Sequence, residues 1–239
     1  MEIGMFVPLL ALPLFLAWVV WNKRRLKQSM AENSDKNVGA VAERMGLTVA
    51  QGDPNLNLLY FMQPSGDFER VISMRGRPYG REVEFWVVDG QKSNEYIVAR
   101  KITTTFGSRL ELHVPNAPVF EVVLRNPNQY LVVGQEYQNL AALREVSTGV
   151  PALDAQFIVR AERPEVGPAL VGALTLLASH QYVHMVGGSQ KVWMKVERMG
   201  LPYVAASAPE FLLALETAAC GVEGRPAPAQ APLPRSAVA

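Results

Sequence analysis

The chain opens on an apolar run, passes through a basic and then a polar stretch, and settles into alternating and helical patterns. From Ile3 to Asn22 no side chain is ionisable, and Leu, Ile, Val or Phe fills eleven of the positions. Twenty helical residues at about 1.5 Å each match the ~30 Å hydrocarbon core of a bilayer. Those eleven side chains favour insertion by roughly 3–6 kcal/mol. Pro8 and Pro13 are tolerated better in a membrane helix than in a water-exposed one. Trp18 and Trp21 stand near the end of the run, where indole rings favour the headgroup layer. The cations Lys23, Arg24, Arg25 and Lys27 follow it, whereas Glu2 precedes it. A cleaved signal peptide has the opposite polarity, with a basic start and a shorter apolar stretch. Residues 1–27 are therefore expected to be an uncleaved transmembrane anchor with a basic flank. Since positive flanks stay inside, the expected topology is single-pass in the plasma membrane, with the N-terminus outside and the rest cytoplasmic.

Residues 28–37 (QSMAENSDKN) read as a polar connector. In the next segment Val38, Val41, Ala42 and Met45 share a helical face, and Gly46 stands where a glycine would stop the helix. From Phe68 the period becomes two. ERVISMRG and GREVEFWVV, around RPY, form a hairpin in which Val83, Phe85 and Val87 oppose Glu82, Glu84 and Trp86. DGQKSN reads as a turn; EYIVARKITT, RLELHV, VFEVVL, QYLVV and QFIVRA read as strands, and NLAALREV as a short helix. PEVGPALVGALTLLASH begins with proline and glutamate, as a helix does. GGSQ joins QYVHMV to KVWMKVE as a hairpin. Ser207 to Glu210 matches a capping box before a helix that Gly221 would end. Strands clustered between helices give an α+β class with a largely antiparallel sheet and packed helices, over residues 38–221. Residues 222–239, with five prolines in GVEGRPAPAQAPLPRSAVA, read as a disordered tail. ERMGL occurs at 43–47 and 197–201 in different periodic contexts, so it is read as coincidence.

Net charge is only +1, which argues against a nucleic-acid footprint. Cys220 is the single cysteine, so neither an intrachain disulfide nor a thiolate zinc cluster forms from this sequence. Phosphate-binding glycine loops, the zinc-protease helix signature and the serine elbow are all missing. His180 and His184 in HQYVH are the best metal candidates, but they fall on different elements and have no third ligand. Asp53, Asp67, Asp89 and Asp154 sit at predicted turns, where aspartate bonds to nearby backbone amides. Arg75, Arg77 and Arg81 around the first hairpin are candidate contacts for a partner or an anionic headgroup, or guards of a sheet edge. Trp86 and Trp193 either pack in the core or mark a docking face. No catalytic, cofactor-binding or metal residue is assigned.

The layout of IGMFVPLLALPLFLAWVVWN, KRRLK and the tail PAPAQAPLPRSAVA resembles the family of mycobacterial trehalose monomycolate transport factors. The resemblance implies an accessory role in cell-envelope lipid (mycolate) export beside a large polytopic lipid exporter, and carries no individual residue with it. The expected function is that of a non-enzymatic, membrane-anchored accessory protein of a larger plasma-membrane complex. The alternative is a membrane-tethered enzyme or ligand sensor acting on a lipid or small metabolite, which requires a concave pocket with converging polar groups.

Overall fold

The computed structural model describes residues 6–50, 68–95, 100–125, 142–180, 183–197 and 201–228, some of them by backbone alone. Elements follow the chain as α1 (Phe6–Met45), β1 (Thr48–Ala50), β2 (Phe68–Gly76), β3 (Val83–Glu95), β4 (Arg100–His113), β5 (Phe120–Leu124), β6 (Arg144–Glu145), α2 (Pro151–Gln156), β7 (Phe157–Ala161), α3 (Val166–Ala169), α4 (Val171–Leu177), β8 (His184–Gly188), β9 (Lys191–Glu197) and α5 (Leu201–Val222). The strands form one nine-stranded sheet in the order β1-β2-β3-β4-β9-β8-β5-β7-β6. Every pairing in it is antiparallel. The class is α+β.

Period-two alternation builds one apolar face. Val83 and Phe85 lie opposite Leu112 and Leu110, which in turn lie opposite Val192 and Met194, and all six are buried. Helices cover this face: α5 packs on β4 and β9, α4 packs on α5, and α1 packs on α5, β1 and β2. Phe211, Leu212 and Leu215 of α5 carry the core between the layers.

Helix α1 is continuous from Phe6 to Met45, so residues 28–37 connect as helix rather than as loop. Among its described side chains, those that enter the core are Val38, Val41, Ala42 and Met45, in the last two turns. The helix stops where the sequence indicates. Gly46 adopts φ +66, the Leu47 amide donates to the Ala42 carbonyl (2.8 Å), and the Gly46 amide donates to Glu43 (3.1 Å). This is a Schellman closure, which needs a residue that accepts left-handed backbone. Helix α5 ends in the same way, with Arg225 donating to Cys220 (2.8 Å) and Gly224 to Gly221 (3.1 Å).

Several expectations are corrected. DGQKSN is not a turn but lies within β3, paired from Asp89↔Phe106 to Asn94↔Lys101. In NLAALREV, Arg144 and Glu145 form edge strand β6 against β7, where cross-strand pairing overrides helical propensity. The segment after Pro164 is two helices, α3 and α4, separated at Leu170, whose amide is shared by the Val166 and Gly167 carbonyls. Ser207–Glu210 is not a start: α5 begins at Leu201, with Pro202 in its first turn, where a missing amide proton costs little. Gly221 is inside α5 rather than at its end, and glycine is needed there because a Cβ would lie 2.0 Å from the Ala169 carbonyl oxygen. Of the segment expected to be a tail, residues 222–228 are described, and Glu223 there is held by Arg81. QYLVV and residues 229–239 lie outside the described residues, as do Asp53, Asp67 and the middle of the second ERMGL. GGSQ does turn, with Ser189 and Gln190 at φ 51 and 62, the type I′ pattern.

Arg81 fastens the β2–β3 turn to the end of α5. Its Nε donates to Glu216 Oε1 (2.8 Å) and its Nη1 to Glu223 Oε1 (3.0 Å), with 11% of its side chain exposed. Burial pushes the Glu216 carboxyl above its ordinary range, while the Arg81 hydrogen bond holds that of Glu223 below. Arg81→Ala leaves Glu216 buried without its cation, and removing one partner of such a pair costs about 3–5 kcal/mol. The stability that Glu223 gains is present above the ordinary carboxylate pKa and lost as pH falls through its lowered value. Protonation relieves an unpaired Glu216 in the same direction. The stability gap between wild type and Arg81→Ala, measured by urea titration, is expected to be largest at neutral pH and to narrow below about pH 5.

Candidate functional site

The sheet face opposite the helices is polar, and strand register sets its order. One cross-strand row runs Ser73, Trp86, Arg109, Lys195, His184. The next runs Arg75, Glu84, Glu111, Trp193, Val186, Glu121, Arg160. Alternation forces these residues onto this face because their neighbours fill the core. Trp86 and Trp193, candidate exposed contacts from the sequence, are 9% and 5% exposed. Each lies under a guanidinium: Arg109 stands 4.4 Å from the Trp193 ring centre and Arg75 stands 5.9 Å from that of Trp86. They are packed, not presented.

Carboxylates on this face are held by cations of the same chain. Arg75 Nε donates to Glu84 (2.7 Å), and Arg77 pairs with Glu82. Glu111 accepts from Lys191 Nζ (2.9 Å) and lies 2.5 Å from Arg109 Nε. Glu121, almost wholly buried, lies 3.1 Å from His184 Nε2 and accepts from Arg160 Nη1 at 3.0 Å. The His184 hydrogen bond, and then Arg160, hold the Glu121 carboxyl below its ordinary range. The His184 ring also meets Trp193 edge-on at 5.4 Å. An ionised carboxylate already engaged on two sides is a poor proton carrier at neutral pH; what it does well is fix β5, β7 and β8 in register.

At the end of this face a groove of about 580 Å³ opens beside the β2–β3 turn, among Arg75, Arg77, Glu82, Glu84, Glu111 and Lys191. Its volume is in the range of small-ligand sites. Three cations meet three carboxylates there, so no net field draws a strongly charged ligand. His113 completes the rim. Of the three arginines expected to meet a partner or headgroup, Arg75 and Arg77 reach this groove, and Arg81 does not, being committed to α5.

The two histidines of HQYVH separate as expected. His180 follows α4, 3.1 Å from Glu210 and 4.5 Å from the Phe211 ring, whereas His184 on β8 belongs to Glu121. Asp154 also behaves as the sequence indicates, accepting from the Thr148 amide (2.8 Å) and the Ser147 hydroxyl (2.6 Å). Asp89 lies in β3 instead of a turn. Among the described residues no group of three or more His, Cys, Asp or Glu side chains is placed to hold a metal ion. Glu111, Glu121, Arg109 and Arg160 were not singled out by sequence reasoning. Alternation marks their face, but only strand order brings them together.

At the N-terminal end, Trp18 and Trp21 are each 55% exposed, and Lys23, Arg24 and Arg25 are exposed beside them, with Arg25 5.4 Å from the Trp21 ring centre. The Lys27 side chain lies outside the described residues. Among the described residues no helix is long and apolar enough to cross a membrane. Described side chains of the apolar run start at Pro13. From there to Asn22 is about 15 Å of helix, half the hydrocarbon core.

Glu121→Gln keeps the shape of the side chain but removes the charge that faces His184 and Arg160. The expected cost is about 1–3 kcal/mol at neutral pH. That cost shrinks as pH falls through the ordinary carboxylate range and below, because the wild-type stabilisation is lost as Glu121 protonates. Chemical denaturation at several pH values reads the difference. No protein-family model matches the chain, and neither a curated protein nor a solved structure does.

Proposed function

We propose that the chain is a non-enzymatic accessory protein, tethered to the plasma membrane through residues 1–27 with its α+β domain on the cytoplasmic side. The observation that carries the reading is where exposed apolar surface falls. Among the described residues the exposed large hydrophobics are Phe15, Leu16, Trp18, Val20, Trp21 and Val49, and five of these six lie within seven positions of α1. Such a patch wrapped around one helix marks a partner or a membrane rather than a core. A basic collar follows it directly, as it does at cytoplasmic membrane exits. Among the described side chains the first core residue, Val38, comes eleven positions after Lys27, about 16 Å along the same helix. A domain held so close to a bilayer meets membrane partners at raised effective concentration without additional contacts. The engaged carboxylates of the polar face favour a docking role over turnover. The layout's resemblance to mycobacterial trehalose monomycolate transport factors extends the proposal to a polytopic lipid exporter as partner and to cell-envelope lipid export as context.

The groove supports a second reading, a tethered enzyme or ligand sensor, since it is concave and several polar groups converge on it. Fractionation followed by mild-detergent purification from the native host separates the readings. The full chain is expected to stay in the membrane pellet after alkaline carbonate, and a chain lacking residues 1–22 to leave it. The full chain is also expected to bring a polytopic membrane protein with it at near-stoichiometric yield. Recovery alone at native abundance favours the second reading, and full extraction by carbonate removes both.

A further inference from the structure

The groove beside the β2–β3 turn has no net charge, but its charges are ordered. The strands beneath it run β2, β3, β4, β9, and register sets two rows across them. In the first, Arg75, Glu84 and Glu111 lie opposite one another on β2, β3 and β4. In the second, the His113 amide donates to the Glu82 carbonyl (3.2 Å), and His113 lies opposite Lys191 of β9. Carboxylates therefore hold the middle of the groove, and cations flank them: Arg75 and Arg77 on the β2 side, Lys191 on the β9 side.

These groups are paired without being used up. Arg75 donates to Glu84 Oε1 and Arg77 to Glu82 Oε1, so among the described residues Oε2 of each glutamate is left for another donor. The Arg77 hydrogen bond holds the Glu82 carboxyl below its ordinary range, so it is ionised at neutral pH. Lys191 Nζ has three protons to donate and gives one to Glu111 (2.9 Å). The side chains of Arg77 and Glu82 are each 66% exposed and that of Lys191 is 48% exposed, so a ligand reaches them from solvent and shifts them at little cost.

A simple cation in this groove meets the flanking cations, and a simple anion meets the central carboxylates. A zwitterion gains at both ends, because each end takes charge-assisted hydrogen bonds and neither faces a like charge. Geometry sets its length. Lys191 Nζ is held at Glu111 on β4, one strand spacing of about 5 Å from β3. A single amino-acid residue reaches about 3.6 Å at most, whereas two linked residues reach about 7 Å.

We propose that the groove binds a short linear zwitterion of dipeptide size. Its ammonium donates to Glu82 and Glu84, and its acidic end accepts from Lys191, with His113 beside it. The two arginines stay on the glutamates and keep them ionised. The proposal gives a ligand class to the second reading of the groove and does not depend on the tether. A free dipeptide and an ethanolamine phosphate headgroup share this chemistry.

Saturation-transfer NMR on the full chain in detergent, with each probe titrated, tests it. The probes are alanylalanine, its N-acetyl form, its C-terminal amide, alanine and glycerophosphoethanolamine. Alanine and both blocked dipeptides are expected to bind about tenfold more weakly than alanylalanine, as loss of one ionic contact predicts. The double variant Glu82→Gln, Glu84→Gln is expected to lose the preference over the N-acetyl form and keep that over the amide. Lys191→Gln is expected to do the reverse. Glu82→Gln alone, at an exposed position that the fold does not need, is expected to show the first change in part. Glycerophosphoethanolamine binding as tightly as the dipeptide supports the proposal with a lipid headgroup as source; weaker binding of it supports the proposal with a peptide source. Blocked forms that bind as well as alanylalanine overturn the zwitterion and leave the groove a ligand site. Preferences unchanged in the variants overturn the assignment of the two ends. No binding of any probe at millimolar concentration overturns the proposal, while the carbonate extraction still decides the tether separately.

Discussion

Burial of Val38, Val41, Ala42 and Met45 is the constraint to which the rest of the molecule refers. These four side chains join a 40-residue helix to a nine-stranded sheet through two helical turns. Burying a side chain the size of valine or methionine contributes about 1.5–3 kcal/mol, so the junction is firm although it is short. The Schellman closure at Gly46 fixes the angle at which the chain leaves it. Upstream of Val38 the same helix continues without a break to Phe6. Its exposed apolar segment is carried at a set distance and direction from the sheet, instead of trailing from a flexible linker.

The polar face works by the opposite means. Its aromatic rings are covered by guanidinium groups and its carboxylates are divided among cations, so charge is satisfied inside the chain. Burial of Glu121 and Glu111 is tolerable only because each meets two cationic or donor partners, since an unpaired buried charge is costly. The same satisfaction limits chemistry. A carboxylate already in two contacts has little affinity left for a ligand's proton or metal. The groove is the place where paired charges come to the surface, and there the exposed Arg77–Glu82 pair can open at low cost, because exposed ion pairs contribute little.

Local pattern made the α+β class legible, along with the core faces of β3 and β4, the GGSQ hairpin and the stop at Gly46. Each depends on residues within a few positions of one another. Misread elements depended on distant ones. DGQKSN looks like a turn until the facing strand from Lys101 to Phe106 is known. Arg144 and Glu145 become a strand only because β7 lies beside them. Gly221 signals a helix end locally, yet close approach to Ala169 is what requires it. The site was less legible for the same reason: Arg75, Arg77 and Trp86 could be named from one hairpin, but Glu121 meets Arg160 and His184, and Glu111 meets Lys191, across sequence gaps of 39 to 80 residues. Whether a tryptophan on a polar strand face is covered likewise depends on the neighbouring strand.

A distance measured between α1 and the sheet in lipid addresses the central claim most directly. Spin labels at Gln28→Cys on α1 and Val49→Cys on β1, both exposed positions, can be read in the full chain with Cys220→Ala as background. A helix continuous into the core gives a single narrow distance distribution in nanodiscs. A broad or multimodal distribution, with the sheet still folded, would contradict it: the apolar segment and the domain would then be joined by a hinge, and no fixed orientation to the bilayer would follow.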